Sequence, residues 1–138
     1  MCRQVRLAQP NVVITHDPWQ RYQLHPDHRT TGLAVVDGIV AARDHLFFPE
    51  QGLAAHRPES ILLWSADEPD HWEDIATTLD TKVAALLCHT SQGTTTMGGA
   101  ERDDLRRQAF ADRIARWAEE SGRPAGLRYA EAFKRLRP

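Results

Sequence analysis

Two histidines three residues apart, His25 and His28, stand in the segment His25-Pro26-Asp27-His28-Arg29. Neutral imidazole is a good ligand for Zn²⁺, and a carboxylate between two imidazoles can bind the ion or orient one of the rings. Pro26 restricts the backbone that joins the two rings. The segment therefore suits a transition-metal site, and the alternative is a solvated loop with ordinary surface histidines.

A second histidine–aspartate pair, His16-Asp17, precedes this segment and follows a short β-branched run. It would face the same cleft, whose rim also carries an arginine and two aromatic residues. Such a mixture suits a sugar or another hydroxylated substrate, although the aromatic rings could instead only pack the loop down. The residues expected to bind substrate are His16, Asp17, Trp19, Tyr22 and Arg29.

The elements around these residues indicate how they are positioned. Residues 11–15 read as a buried strand, residues 16–29 as a loop, and Thr30 or Thr31 as the cap of a helix that runs to about Asp44. In open α/β sheets, ligands bind outside the carboxyl ends of the strands, which is where this loop would lie. The apolar positions expected to face inward on the helix are Leu33, Val36, Ile39 and Val40.

The remainder of the chain alternates strands and helices. A continuous apolar run at residues 60–65 predicts a strand buried on both faces, and residues 72–75 form a short extended piece. Helices are expected from about residue 77 and over residues 101–120, with a final turn or two at 129–136. This order predicts an α/β domain with parallel strand pairing. The inward positions of the two helices are Leu79, Val83, Leu86 and Leu87, and then Leu105, Phe110, Ile114 and Trp117.

Composition limits the class of protein. The 138 residues make one domain at most, and 17 Lys+Arg against 19 Asp+Glu give a net charge of −2, which argues against a nucleic-acid partner. Cys2 and Cys88 are too few for a disulfide framework and fit a reducing compartment. No apolar run reaches the length of a membrane span. We therefore expect a cytoplasmic protein.

The sequence resembles the C-terminal half of the PIG-L/LmbE family of zinc-dependent N-deacetylases, which includes the GlcNAc-PI de-N-acetylases. The resemblance implies a Rossmann-like α/β fold, incomplete here, with few parallel strands plus helices and with residues 1–138 as the C-terminal portion of a single domain. The segments that carry it are Val12-Val13-Ile14-Thr15-His16-Asp17-Pro18, His25-Pro26-Asp27-His28-Arg29-Thr30-Thr31-Gly32, Leu46-Phe47-Phe48-Pro49-Glu50, Lys82-Val83-Ala84-Ala85-Leu86, His89-Thr90-Ser91-Gln92 and Ala130-Glu131-Ala132-Phe133.

The same resemblance implies a reaction and its residues. The expected activity is hydrolysis that removes the N-acetyl group from an N-acetylglucosamine-containing substrate, an amino-sugar conjugate, with Zn²⁺ as cofactor. His28 is implied as a zinc ligand, His25 as the group that stabilises the tetrahedral oxyanion, and Asp27 as the carboxylate that orients a neighbouring histidine. A metal that polarises the amide carbonyl and a donor at the developing oxyanion both lower the barrier of such a reaction.

The chain departs from the family pattern in one respect. The family's first strand ends in an A-H-P-D-D-E type motif that supplies the other metal ligands and the general base, and the only His-Pro-Asp in this sequence is His25-Pro26-Asp27. We therefore expect a truncated domain, inactive alone, whose open sheet edge favours self-association or complementation by an N-terminal half. The alternatives are a non-catalytic binding or assembly module, a degenerate remnant of the same fold, and a rearranged metal site of His16, Asp17, His25 and His28.

Overall fold

The computed structural model describes residues 1–100 and 102–138. Within these residues the strands form one mixed sheet in the order β1-β2-β4-β3. Strand β1 pairs with β2 in parallel, and β2 pairs with β4 in antiparallel orientation. In chain order the elements are α1 (Cys2–Ala8), β1 (Val12–His16), α2 (Pro26–Arg43), β2 (Ser60–Trp64), β3 (His71–Asp74), α3 (Leu79–Leu87), α4 (Asp104–Gly122) and β4 (Ala130–Leu136), with short 3₁₀ turns at Pro49–Gln51, Thr90–Gln92 and Arg123–Ala125.

The chain forms two compact units, and the first consists of Met1–His71 together with Ala132–Pro138. In this unit α1 and α2 cover one face of the β1–β2 pair. On that face Val13 and Val35 pack against a fully buried cluster. The cluster consists of Cys2, Val5, Ile39, Ala41, Ala42, Ile61 and Leu63.

Arg6 fastens α1 to the carboxyl end of α2. Its side chain is buried, and its guanidinium donates to two sets of backbone carbonyls. One set lies in the last turn of α2, where carbonyls have no intrahelical partner, and the other lies in the residues that follow the helix. A cation at this position also interacts favourably with the helix dipole. The acceptors are the carbonyl oxygens of Ala41 (3.0 Å), Ala42 (3.2 Å), Asp44 (2.8 Å), Phe47 (2.8 Å) and Phe48 (3.4 Å), and Oε1 of Gln51 (3.5 Å).

The second unit comprises Trp72–Glu131. Its core joins Phe110 and Ile114 of α4 to Met97 and Ala100 of the preceding loop. The α3 residues predicted to face inward pack against this core, as expected: Leu79, Val83, Leu86 and Leu87. The Lys82 ammonium lies 2.5 Å from the Glu131 carboxylate.

Two inward positions predicted on α4 are wrong. Leu105 and Trp117 are 84% and 56% exposed, whereas Phe110 and Ile114 are buried as expected. The guanidinium of Arg113 lies over the rings of Phe110 and Trp117, at 5.3 and 5.5 Å from their centroids, so Trp117 packs against a charged side chain and solvent. The predicted start of this helix at residue 101 lies outside the described residues, and the described helix begins at Asp104.

The amino end of α2 also differs from the prediction. The helix begins at Pro26, inside the predicted loop, and His25 is its N-cap. Proline is favoured at the first helical position because its φ is already helical and no intrahelical bond is lost there. Of the predicted inward positions, Ile39 is buried, but Leu33 and Val40 are 45% and 41% exposed.

Residues 130–136 form a strand and not the predicted helical turns. The side chains of Ala130 and Phe133 are buried, and Phe133 lies opposite Trp64 in the ladder with β2. The parallel pairing predicted for the sheet is therefore correct for β1 with β2, whereas the unexpected strand β4 pairs with β2 in antiparallel orientation. Every helix within residues 1–100 and 102–138 is too short or too polar to cross a lipid bilayer.

Candidate functional site

Four aromatic rings are in contact at the carboxyl ends of β1 and β2, in the order Trp64, His16, His28, His25: the three imidazoles stack, and Trp64 lies tilted against His16. The successive ring centroids are 3.9, 4.2 and 4.5 Å apart. The imidazoles are nearly parallel, with interplanar angles of 22° and 19°, whereas Trp64 is tilted by 43° from His16. Two rings this close to His28 can only lie on its opposite faces. In this ring column the edge of the His28 imidazole, which carries its nitrogens, is the part that neither stacked ring covers.

The sheet and α2 each supply half of the ring column. His16 ends β1 and lies opposite Trp64 in the parallel ladder, and the Asp17 N–H donates to the Trp64 carbonyl at 3.0 Å. His28 lies in the first turn of α2. The helix approaches β1 closely because Gly32 has no side chain: a Cβ there would be 2.7 Å from the His16 carbonyl oxygen.

His25 has two contacts that orient its ring. One face of the imidazole stacks on His28, and its Nδ1 accepts the Asp27 N–H at 3.3 Å as an N-cap. A ring nitrogen that accepts a hydrogen bond carries no proton, so in neutral His25 the proton is on Nε2. The exposed side of the ring therefore presents a hydrogen-bond donor.

His16 is half-buried, whereas His25 is exposed. Burial lowers the pKa of the His16 imidazole below the ordinary 6.5, and the neighbouring His28 and then His25 lower the pKa further. Its Nδ1 is buried and has no hydrogen-bond partner among the described residues. Burial and the neighbouring imidazoles thus both disfavour the charged form of His16.

The other residues predicted to bind substrate lie in the loop after β1 and in the first turn of α2. Asp17 is buried, and its Oδ1 accepts the Trp19 N–H at 2.9 Å, so its role in the structure is to hold the turn. Trp19 and Tyr22 are 59% and 87% exposed. Arg29 donates to the Gln23 carbonyl at 2.6 Å. In the part of the chain described here, neither Trp19 nor Tyr22 stacks on another ring.

Asp27 stands in the first turn of α2, where a carboxylate is favoured by the helix dipole. Its side chain is exposed, and the described residues include no histidine that donates to it. The orienting role implied by the resemblance stays a prediction.

A catalytic zinc ion takes three protein ligands and keeps one open position. Residues 1–100 and 102–138 contain no group of three or more His, Cys, Asp or Glu side chains arranged to hold a metal ion. The rearranged site of His16, Asp17, His25 and His28 is therefore not formed. His28, whose ring edge neither stacked ring covers, fits a single ligand, and the described residues do not make a zinc site by themselves.

Trp64 is the member of the ring column that sequence reasoning missed. The sequence pattern places it at the end of a predicted strand without a functional role. The available signal was register: in a parallel pair, the last residues of two aligned strands lie side by side, and His16 and Trp64 are those residues.

Comparison with known proteins gives a consistent picture. No protein-family model matches this chain. Over 91 residues it is 29% identical to a diacetylchitobiose deacetylase from Thermococcus kodakarensis, a match that covers 64% of this chain and 34% of that protein. It superposes on the N,N'-diacetylchitobiose deacetylase from Pyrococcus horikoshii with a TM-score of 0.78 and 26% identity, covering 99% of this chain and 49% of that structure.

Two further structures share the fold. They are the 4-carboxy-2-hydroxymuconate hydratase GalB from Pseudomonas putida, with a TM-score of 0.69 and 17% identity, and a conserved protein from Thermus thermophilus, with a TM-score of 0.69 and 22% identity. The two matches extend over 99% and 96% of this chain and over 56% and 54% of the respective structures. At these identities the likeness concerns the fold alone.

The chain spans about a third of the length of the curated relative and about half of the solved deacetylase. The predicted α/β fold class is confirmed, because nearly all of the chain matches a deacetylase of this fold. The chain is therefore homologous to a diacetylchitobiose deacetylase and has the LmbE-like fold of such enzymes.

Proposed function

We propose that this chain is part of a hydrolase that removes the N-acetyl group from an N-acetylglucosamine-containing substrate. The observation that carries the proposal is the ring column, which brings His25 and His28 together at the amino end of α2 in a chain similar to two diacetylchitobiose deacetylases. Ligands of open α/β sheets bind at this end of the strands. The hydratase with the same fold is only 17% identical, and it supports no second reaction.

In this proposal His25 stabilises the oxyanion. Attack of water on the acetamide carbon places negative charge on the carbonyl oxygen, and a preorganised donor at that oxygen lowers the barrier. Because Nδ1 of His25 accepts the Asp27 N–H, the Nε2–H is available to that oxygen. The backbone N–H of Asp27 then fixes the tautomer of His25, whereas the resemblance implied that the Asp27 carboxylate orients a histidine.

We propose that His28 supplies one ligand to Zn²⁺. The edge of its imidazole, which neither stacked ring covers, supports this assignment, since a histidine binds a metal in the plane of its ring through a nitrogen lone pair. The other ligands would come from polypeptide beyond these 138 residues, with this chain as the C-terminal portion of the complete domain. The coverage of about half of the solved deacetylase is in keeping with that arrangement.

Strand β1 is the edge at which we propose that the remaining polypeptide joins. It ends the sheet on one side, and its side chains Val12 and Ile14 are 46% and 60% exposed. It carries no Asp, Glu, Lys or Arg, whereas the opposite edge strand contains Glu73 and Asp74. Charged residues on an edge strand oppose further pairing, and an uncharged β-branched edge favours it. Without a complementing half, the same edge would favour self-association of this chain.

A chimaera tests the proposed function. In it, this chain replaces the matched half of the P. horikoshii deacetylase, and acetate release from N,N'-diacetylchitobiose is measured together with bound zinc. We expect acetate release, and we expect His25→Ala to lower kcat/KM by about 10²- to 10³-fold with zinc retained. His28→Ala should lose both zinc and activity.

His45→Ala is the matched control, because His45 is exposed and lies outside the ring column. It should leave zinc content and activity unchanged. Full activity in the His25 and His28 variants would contradict the proposal. The 138-residue chain alone should bind less than one zinc per chain, and tight stoichiometric zinc that survives His28→Ala would contradict the assignment of His28.

The alternative is a non-catalytic binding or assembly module. It is favoured by the absence of a three-ligand metal group among residues 1–100 and 102–138. This alternative predicts that the chain alone binds N,N'-diacetylchitobiose in a calorimetric titration while the chimaera releases no acetate. The deacetylase proposal predicts acetate release.

A further inference from the structure

One of the two inner rings of the ring column has a role that differs from the substrate contact expected for it. We propose that His16 is a positioning residue: its imidazole is a spacer that fixes the ring plane of His28 and does not itself bind substrate. This inference rests on the proposed function only in naming His28 as the residue that acts. The positioning itself can be measured without any activity.

The His16 ring already has two aromatic neighbours. His28 stacks on one of its faces at 4.2 Å, and Trp64 lies against it at 3.9 Å with its plane tilted by 43°. Its Nδ1 is buried and has no partner in the described part of the chain. The His16 side chain therefore contributes ring surface, and no described hydrogen bond depends on it.

His16 is itself fixed by the sheet. It lies opposite Trp64 in the β1–β2 ladder, and the Asp17 N–H closes the ladder on the Trp64 carbonyl. Its position is thus set by two paired strands, which are among the more rigid parts of a protein. A ring whose position is fixed in this way can restrict the orientation of a ring that stacks on it from a neighbouring helix.

The ring orientation of His28 must be fixed if one of its nitrogens is to bind a metal. A metal-binding histidine is usually oriented by a hydrogen bond from its second nitrogen to a carboxylate, carbonyl or water. No carboxylate or carbonyl of the described residues accepts a hydrogen bond from the His28 imidazole, and its ring contacts are with His16, His25 and, at 6.2 Å, Trp64. Stacking is therefore the contact that orients this ring within the described residues.

Gly32 sets the spacing of the stack. It lies one turn after His28 on α2, where a Cβ would be 2.7 Å from the His16 carbonyl oxygen and 3.0 Å from Cβ of Pro18. A methyl group here must move the helix away from β1. The separation of the His16 and His28 rings would then increase with both histidines still present.

Proton–carbon NMR correlation of the 138-residue chain with ¹³C-labelled histidine tests the positioning. A stacked ring shields the protons of its neighbour, so His16→Ala should shift the His28 ring protons downfield. His16→Phe keeps an aromatic ring and removes no described hydrogen bond, and it should leave those protons shielded. Gly32→Ala should reproduce the downfield shift, and Thr31→Ala, an exposed control on the same turn, should not.

The chimaera separates positioning from substrate binding. A misoriented His28 should lower kcat by about 10- to 100-fold in His16→Ala with KM unchanged, and His16→Phe should restore most of it. A raised KM that Phe does not rescue would show that His16 binds substrate and would overturn the proposal. So would His28 ring signals that do not change in His16→Ala. An inactive parent chimaera would count against the proposed function alone, since the NMR result decides the positioning.

Discussion

The buried guanidinium of Arg6 offers the sharpest test of how this chain holds its first helix. Replacement of Arg6 by Met keeps an unbranched side chain of similar length and removes every donor. The carbonyls of Ala41, Asp44 and Phe47, which accept at 2.8–3.0 Å, then lose the guanidinium as a partner in a region that water does not reach easily. We expect a large loss of stability, because unmade hydrogen bonds of buried groups are costly.

The magnitude follows from the contacts. Arg6 is 3% exposed, and four of its hydrogen bonds are 3.2 Å or shorter. A buried acceptor that loses its partner costs about 1–3 kcal/mol, so the loss of these contacts should cost about 3–5 kcal/mol, against a total stability of about 5–15 kcal/mol for a typical domain. Arg6→Lys keeps the charge but cannot match the planar fork of donors, so it should cost roughly half as much.

Urea unfolding followed by far-UV circular dichroism measures the effect. With a slope of roughly 1–3 kcal/mol per molar urea, Arg6→Met should lower the midpoint by about 2 M. Arg3→Met is the matched control, since Arg3 lies on the same helix and is exposed. A midpoint shift for Arg6→Met no larger than that of Arg3→Met would refute the reasoning. If the Met variant does not fold, the midpoint of Arg6→Lys is compared with that of Arg3→Met instead.

Three further changes have defined outcomes. Asp70→Asn should cause a small loss of stability at pH 7 and none well below pH 3.8. The Lys134 ammonium holds the pKa of Asp70 below that value, and the stabilisation is lost as this carboxylate is protonated. Thermal unfolding at both pH values measures the difference. Gly122→Ala should cost about 1–3 kcal/mol in urea unfolding, since its Cβ would lie 2.4 Å from the Leu127 carbonyl oxygen. Ile14→Lys should reduce self-association in sedimentation velocity.

Each of these changes has a control. Asp70 also accepts the Arg135 N–H at 2.8 Å, so Lys134→Met separates the ion pair from this backbone contact. Ser121→Ala tests an alanine next to Gly122 without the close approach. Leu105→Lys adds the same charge at a site that is 84% exposed on α4, and an equal drop in self-association there would argue against the β1 edge.

The histidines of the site were visible in the sequence, but their arrangement was not. Two His/Asp pairs near a strand end predicted a shared cleft, and the structure does bring His16, His25 and His28 together. Their stacking depends on β1–β2 register and on the approach of α2 at Gly32, and both are set by packing across the sheet. Local patterns carry no information about either.

The last strand was missed for a different reason. Its sequence, Ala130-Glu131-Ala132-Phe133-Lys134-Arg135-Leu136, is rich in residues that favour helices and does not alternate cleanly. Pairing with β2 and burial of Phe133 opposite Trp64 override that local preference. Leu33, Val40 and Leu105 illustrate the converse, because helical spacing of apolar residues does not say which of them face solvent.

Helix α2 has separate tasks at its two ends. Its amino end carries His28, which belongs to the ring column, and Arg6 binds the carbonyls of its carboxyl end. The two ends are about 27 Å apart, because the helix has 18 residues with a rise of 1.5 Å each. Substitutions this far apart with no shared partner usually act independently on folding free energy. Variants of Arg6 and of His28 should therefore combine additively, so stability can be adjusted at one end while chemistry is studied at the other.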